Sequence, residues 1–293
     1  MNSCYEIYSD ESGSGEDRFE AIGTLSGSRE SIEGLRMQLV AILAKYRLTH
    51  CEYKKVSGAT RYDCALDFLR ALHRLVVQQK IKVMVLVWDK HDIRHSVIGR
   101  DDVANVSIMY YCALKTTKRQ WRDATIDSNF FPDELNKVDF KSIITLIENT
   151  RIRDRQGMET LFGSEFIRMF PIIASHRELV SAEEPITQLI DIITGIVRIS
   201  YEDKKLFSAW RELYEAENAM QDCLFPIDSP ALNVSKNKTY KFKLIHEMDG
   251  LCKGNTMQVA LRSSDGFESR KPSNGYFFWK YAPQHLADRA PVR

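Results

Sequence analysis

The pattern of apolar and polar positions predicts strands that alternate with helices along the first two thirds of the chain. Strands are predicted at residues 5–9 and 19–25, which lie on either side of a Gly-rich turn. A third is predicted at 81–88, where a β-branched run that is apolar on both faces indicates a central position. Short strands are also predicted at 124–127 and near 178–181.

Helices are predicted where apolar residues recur at helical spacing. Their ranges are 29–46, 59–79, 101–120, 139–149, 158–169 and 186–201, the last of them opened by Pro185. Alternating strands and helices after an antiparallel start favour an α/β fold, in which helices cover both faces of a sheet.

Beyond residue 202 the pattern loosens. We therefore predict one domain over residues 1–202 and a C-terminal extension over 203–293 that is helical and then β-rich. In the extension, Tyr240–Lys243 alternates like a half-exposed strand, and residues 274–281 are densely aromatic. These aromatics could stack on unpaired bases or simply pack onto the core.

Charge and composition narrow the class of protein. Hydrophobic residues make up 44% of the chain and charged residues 28%, as in a globular protein, and the net charge is +1. From Ser235 to Arg293 there are 11 basic and 5 acidic residues, a balance that suits either a phosphate backbone or a solvated surface.

The sequence also argues against several locations and cofactors. The longest apolar run, Val83–Trp88, is too short to span a membrane, and no secretory signal is predicted. Six cysteines without a C-x-x-C pair indicate reduced thiols, so we expect a cytoplasmic protein without a membrane partner. No zinc-type spacing and no nucleotide-binding glycine motif is present.

Four acids stand where a sheet could gather them. Asp10 ends the first predicted strand, Glu52 lies beside Ser57-Gly58, Asp127 ends a middle strand, and Asp191 interrupts an apolar helix. A buried, unpaired carboxylate costs several kcal/mol, so Asp191 needs a cation, hydrogen-bond donors or a solvated helix face shared with Arg198. Asp10-Glu11-Ser12-Gly13 is equally compatible with an ordinary turn.

Several carboxylates at one place suit hard divalent cations. Mg²⁺ and Mn²⁺ prefer oxygen ligands, and a pair of them can activate a water and stabilise the leaving oxygen of a phosphodiester. The expected cofactor is therefore Mg²⁺ or Mn²⁺, and the expected substrate is a nucleic acid, with DNA and RNA both left open. Lys54, Lys55 and the arginines at 151, 153 and 155 are candidates for binding substrate phosphates.

Four segments resemble the domain-of-unknown-function family 3800, in that family's order. They are Y-S-D-E-S-G-S-G at 8–15, E-Y-K-K at 52–55, A-T-I-D-S at 124–128 and P-I-T-Q-L-I-D-I-I-T-G-I-V-R at 185–198. The resemblance covers roughly residues 5–202 and implies a ribonuclease H-like fold with metal-dependent nuclease activity. It also implies that Asp10, Glu52, Asp127 and Asp191 hold the metal, with Glu11 and Gln188 close by. We count Glu11 among the expected metal ligands, and Gln188 and Arg198 among the candidates for binding the substrate.

Two further classes remain open at this point. The family's middle motif often continues with Glu and Arg, whereas this chain has Ser128 and Asn129. That difference favours a non-catalytic binding or effector module of a bacterial defence or mobile-element system, which could act with a protein partner or as a homo-oligomer. A zinc hydrolase is the third alternative.

Overall fold

The computed structural model describes the greater part of the chain. The described residues are 4–13, 16–92, 102–121, 128–134, 138–148, 151–153, 166–168, 173–180, 183–220, 234–255, 257–261, 266–269 and 275–282. Within them the strands are β1 (Tyr5–Ser12), β2 (Phe19–Ser28), β3 (Ile81–Asp89), β4 (Ser128–Pro132), β5 (Arg151–Arg153), β6 (Phe166–Arg168), β7 (Ile173–His176), β8 (Val259–Leu261), β9 (Phe267–Ser269) and β10 (Tyr276–Lys280). The helices are α1 (Arg29–Tyr46), α2 (Ala59–Val77), α3 (Asp102–Arg119), α4 (Phe140–Glu148), α5 (Pro185–Glu202), α6 (Lys204–Met220) and α7 (Lys236–Gly254).

Six strands form one mixed sheet in the order β10-β3-β2-β1-β4-β7. Strand β2 runs antiparallel to both of its neighbours, β1 and β3. The other neighbouring pairs, β1–β4, β4–β7 and β3–β10, are parallel. This confirms the predicted α/β fold class, a mixed sheet flanked by helices.

Side-chain alternation along the strands separates two hydrophobic cores. Tyr8 of β1 packs with α1, α2, α5 and α7 on one face of the sheet. Its neighbour Ile7 packs with α3 and α4 on the other face. The same alternation continues along β3, where Val85 joins the first core and Leu86 joins the second. We call the face that carries α5 the α5 face.

Helix α5 lies directly on the sheet and is buried on almost every side. Its first turn is capped by the Glu184 side chain, which accepts a hydrogen bond from the N–H of Ile186 at 3.1 Å. Gly23 of β2 permits the close approach, because a Cβ there would collide with the Thr194 hydroxyl and lie 2.9 Å from Ile190 Cγ2. A Cβ at Gly195 would collide with the Tyr53 ring, so α5 also packs closely on the 3₁₀ turn Tyr53–Lys55.

Most of the predicted elements are confirmed, and three are wrong in part. The segment Tyr240–Lys243 lies within α7, where Phe242, Ile245, Met248 and Cys252 are buried at helical spacing. Four alternating residues are too few to tell a strand from a helix. Residues 166–168 are a strand and not the end of a helix. The strand that precedes α5 lies at Ile173–His176 and not near 178–181.

The C-terminal extension contributes to the main sheet. Its aromatic strand β10 pairs with β3, with Tyr276 opposite Val83 and Lys280 opposite Val87. The described strands β8 and β9 form a separate two-stranded sheet. None of the described helices is long and apolar enough to cross a bilayer.

We expect Gly23→Ala to destabilise the protein by about 1–3 kcal/mol, because the added methyl group overpacks the contact between β2 and α5. Gly34→Ala is the matched control, since a Cβ at Gly34 in helix α1 meets no atom within 4 Å. It should stabilise the protein by about 0.5–1 kcal/mol by removing the flexibility of a helical glycine. Urea unfolding measures both, and equal free energies of unfolding for the two variants would contradict this account of the packing.

Candidate carboxylate site at the sheet edge

The site begins where the parallel strands β1 and β4 end. Ser9 pairs with Pro132, and the N–H of Asp133 donates to the carbonyl of Ser9 at 2.9 Å, so Asp133 lies beside the end of β1. By alternation, Asp10 follows Tyr8 on the α5 face, and Asp133 follows Phe131. The rings of Tyr8 and Phe131 are stacked with their centroids 4.8 Å apart, which places the two strands' α5-face residues side by side.

Asp191 reaches the same place from α5. Asp10 pairs across the sheet with Gly23, the residue on which α5 packs closely, and Asp191 lies one helical turn before Thr194. The N–H of Tyr53 donates to Asp191 Oδ2 at 2.7 Å and orients its carboxylate. The structure therefore brings Asp10 and Asp191, which are 181 positions apart in the sequence, to one edge of the sheet.

The electrostatics of these two carboxylates show that they interact. Burial, and then the charges of Asp191, Glu11 and Asp133, raise the pKa of Asp10 well above its ordinary value. Burial is also the main cause that raises the pKa of Asp191 to about 6, against the opposing hydrogen bond from Tyr53. Within the described part of the chain, neither carboxylate forms an ion pair with Lys or Arg. The charge of Lys54 favours ionised Asp191 from farther away. An added cation would further stabilise the ionised forms of both carboxylates.

Glu11 points to the opposite face of the sheet from Asp10. Its Oε2 accepts a hydrogen bond from the Tyr110 hydroxyl of α3 at 2.8 Å. Burial raises the pKa of Glu11 to about 7, although the hydrogen bond from Tyr110 opposes the shift. The charge of Asp133 contributes to the shift as well, so Glu11 belongs to the same electrostatic cluster.

Glu52 lies near Asp191 but is already paired with the lysines that follow it. Its carboxylate is 2.9 Å from Lys55 Nζ and 3.6 Å from Lys54 Nζ. Although its partial burial opposes ionisation, the hydrogen bond and charge of Lys55 and the charge of Lys54 lower the pKa of Glu52. The structure thus places Lys54 and Lys55, which we predicted to bind substrate phosphates, on the carboxylate of Glu52.

Gln188 and Arg198 hold the segments around the site. The side-chain oxygen of Gln188 accepts a hydrogen bond from the N–H of Cys51 at 2.9 Å, immediately before Glu52. Arg198 Nε donates to the Ser12 hydroxyl at 3.1 Å, and its Nη1 is 3.2 Å from Asp17 Oδ2. These contacts fix the 3₁₀ turn and the β1–β2 connection relative to α5.

Sequence reasoning missed two residues of this region, and one predicted ligand cannot be placed. Asp127 lies outside the described residues; Arg155 does too, and nothing is described of the side chains at 151 and 153. The sequence analysis did not include Asp133, although an acid directly after the apolar residues Phe130-Phe131-Pro132 is the signal that could have found it. Lys241 of α7 was assigned to a strand, yet its Nζ lies 5.1 Å from the centre of the Tyr53 ring.

Lys241 is the basic group that α7 adds beside the carboxylates. Its pKa is lowered, first by burial and then by the charge of Arg198, while the charge of Asp191 opposes the shift. A half-buried ammonium group therefore lies within electrostatic reach of both Asp191 and Arg198. Such a group can neutralise an anion that approaches the site.

The carboxylates are oxygen donors of the kind that Mg²⁺ and Mn²⁺ prefer, and their raised pKa values show that they favour an added positive charge. In their present rotamers, however, no three acidic, His or Cys side chains of the described residues are grouped to hold a metal ion. The residue types therefore fit a divalent cation, and the side chains would have to turn toward it.

Comparisons with known proteins give relatives over the whole length. The chain is 29% identical over 304 residues to the uncharacterised protein ORF2′ of Methanothermobacter thermautotrophicus, and all of both chains is covered. It is 27% identical to ORF2 of the same organism, with 98% of this chain and 97% of that one covered. Ribonuclease H2 from Pyrococcus horikoshii is similar over 83% of this chain and 98% of its own, with 14% identity and a TM-score of 0.42. No family model matches the chain.

We expect the metal-free protein to lose stability as the pH rises from about 4 to about 6. An unfolded aspartate releases its proton near pH 4, whereas folded Asp191 keeps its proton up to about pH 6. The folded state therefore binds more protons in this window, and the free energy of unfolding falls there by up to about 3 kcal/mol. Glu11, whose pKa is about 7, should extend the loss to higher pH.

Urea unfolding in EDTA across this pH range measures the effect. Asp191→Asn should flatten the profile, because the amide has no charge to bury yet can still accept the Tyr53 hydrogen bond. Asp63→Asn, at an exposed position of α2, should leave the profile unchanged. Parallel profiles for the wild type and Asp191→Asn would refute the electrostatic account.

Proposed function

We propose that this protein hydrolyses nucleic-acid phosphodiester bonds with Mg²⁺ or Mn²⁺ held at the carboxylate site. The observation that carries the proposal is the burial of Asp10 and Asp191 side by side without a basic partner among the described residues. Membership of the domain-of-unknown-function family 3800, which the motifs suggest, is part of the same proposal.

Asp10, Asp133 and Asp191 are the residues proposed to hold the metal, with Glu52 as a further ligand once Lys54 and Lys55 release it. When bound, the divalent cation would supply an activated water and stabilise the leaving oxygen. The chain itself supplies the geometry: β1 and β4 fix two carboxylates on a rigid edge, and the Tyr53 N–H orients the third. The carboxylates lose their protons as the cation binds, because positive charge favours their ionised forms.

Lys241 is proposed to bind the phosphate that is cleaved. It approaches from α7, and its ammonium group and the guanidinium group of Arg198 are within electrostatic reach of each other beside Asp191. Two cations on the open side of a carboxylate cluster would draw the anionic substrate toward the metal and offset its charge. An RNA and a DNA backbone present the same phosphate chemistry, so this arrangement selects neither.

Asp10→Asn, Asp133→Asn and Asp191→Asn should each abolish Mn²⁺-dependent cleavage of labelled oligonucleotides. Asp10→Asn and Asp191→Asn should not lower the thermal midpoint in EDTA, because each removes a carboxylate that is costly to bury. Asp63→Asn serves as the control for the loss of one surface carboxylate. Cleavage at the wild-type rate by Asp10→Asn or Asp191→Asn would disprove the assignment.

Calorimetric titration with Mn²⁺ separates the nuclease from the alternative class. Saturable binding by the wild type that is lost in Asp191→Asn supports a metal site. The ion pairs of Glu52 with Lys54 and Lys55 favour the alternative, because they satisfy one predicted ligand without a metal. No saturable binding together with no cleavage would therefore identify a non-catalytic binding module.

Lys241→Gln should reduce kcat/KM for cleavage at least tenfold, since a charge-assisted contact to a phosphate contributes about 1.5–3 kcal/mol. Lys243→Gln is the matched control on the same helix, because Lys243 lies over the ring of Tyr214 and away from the carboxylates. An equal effect of the two substitutions would show that Lys241 acts only through the general charge of α7.

A further inference from the structure

A basic cavity lies on the α5 face at the same edge of the sheet as the carboxylates. It encloses about 480 Å³. Its basic lining residues are Arg18, Lys204, Lys205 and Lys280, and the rings of Phe19 and Tyr201 form part of its wall. Neither the predicted metal ligands nor Lys241 lines it.

The position of the cavity follows from the register of the sheet. Phe19, the first residue of β2, pairs with Asp89 at the end of β3, and Lys280 ends β10 beside them. All three positions lie at the edge where β1 ends. Strand β10 is three strand spacings from β1, or roughly 14 Å.

Helix α5 gives the same separation independently. Tyr201 lies ten residues after Asp191 on this helix, which corresponds to roughly 15 Å of helical rise. Phe19 and Tyr201 both belong to the core on the α5 face, the face that carries Asp10. The cavity therefore lies on the same face of the sheet as the carboxylates, roughly 15 Å from Asp191 along α5.

The acidic residues of the lining already have partners. Glu202 Oε2 accepts a hydrogen bond from the N–H of Phe19 at 2.9 Å, and Asp203 Oδ1 accepts one from Lys238 Nζ at 2.8 Å. Arg18 is paired with Asp89, 2.6 Å away. Glu202 also lies 3.9 Å from Arg198 Nη1, so Glu202 and Asp203 each have a basic partner that does not line the cavity.

Lys205 and Lys280 provide the remaining positive charge. Lys205 is exposed, and neither lysine forms an ion pair within the residues that the structure describes. Lys280 Nζ lies 5.7 Å from the ring centre of Phe19 and 5.9 Å from that of Tyr201, so aromatic rings and not a carboxylate hold it over the cavity. Its charge acts on Asp89 only at longer range.

We propose that this cavity binds backbone phosphates of one strand of a nucleic acid whose cleaved bond lies at the carboxylates. The proposal rests on the proposed nuclease function and adds a second contact to the same substrate. A cavity of about 480 Å³ with four basic residues in its lining suits phosphate groups of the backbone. Three of the four basic residues belong to the C-terminal extension, which gives that segment a role in holding the substrate.

The test measures the binding of fluorescein-labelled single-stranded oligonucleotides in EDTA, where cleavage is prevented, over a range of KCl concentrations. The slope of log K against log[salt] is negative, and for a single strand each lost phosphate contact makes it shallower by about 0.7. The double variant Lys205→Gln/Lys280→Gln should therefore make the slope shallower by about 1.4. Lys80→Gln should leave it unchanged, because Lys80 is exposed just before β3, at the opposite edge of the sheet.

The single variant Lys205→Gln guards against a folding defect, because within the described residues this exposed side chain is not packed over an aromatic ring as Lys280 is. It should make the slope shallower by about 0.7. An unchanged slope in both variants, or no binding by the wild type, would overturn the phosphate site. Mn²⁺-dependent cleavage is scored separately. If these variants make the slope shallower but the wild type never cleaves, the proposed function fails and the phosphate site stands. If Asp191→Asn abolishes cleavage but the lysine variants leave the slope unchanged, the phosphate site fails and the proposed function stands.

Discussion

The close packing of α5 on strands β1 and β2 determines where the candidate site lies. Gly23 leaves the space that Thr194 and Ile190 occupy, and Gly195 leaves the space for the ring of Tyr53. Because the helix lies directly on the sheet, Asp191 is brought toward the end of β1 and the Tyr53 N–H reaches its carboxylate. A helix held farther from the sheet would leave Asp10 and Asp191 too far apart to influence each other.

This packing imposes an energetic cost on the folded state. Asp10 and Asp191 are buried where neighbouring acids disfavour their ionisation, and within the described residues neither forms an ion pair with Lys or Arg. The charges of Lys54 and Lys241 act on Asp191 from farther away and offset only part of the cost. Other buried charges are paired directly: Arg36, for example, donates to Glu184 at 3.1 Å and also to the Tyr8 hydroxyl. Buried acids with raised pKa values and no direct ion pair are typical of a functional site.

The edge of the sheet where β1 ends has an acidic part and a basic part. Asp10, Asp133 and Asp191 make one part acidic, and the surface along α5 becomes basic at Lys205 and Lys280. Lys241 lies beside the acidic part, over the Tyr53 ring. In the proposed function, a substrate with regularly spaced negative charges would meet these cations on both sides of the carboxylates, and they would attract its phosphates.

The sequence by itself determined the local elements and the chemical type of the site. Apolar residues at helical spacing predicted helices α1 and α2, and a continuous apolar run predicted strand β3. Asp10 and Asp191 could be picked out because a carboxylate that interrupts an apolar run is costly without a partner. Only the tertiary structure decided which acids lie close together. The register of β4 against β1 places Asp133 beside the end of β1, and Glu52 forms ion pairs with the lysines that follow it. The tertiary structure also decided that β10 joins the main sheet and that Lys241 lies in a helix. Strand pairing and helix packing depend on contacts between residues far apart in the chain, and the periodicity of the sequence does not contain that information.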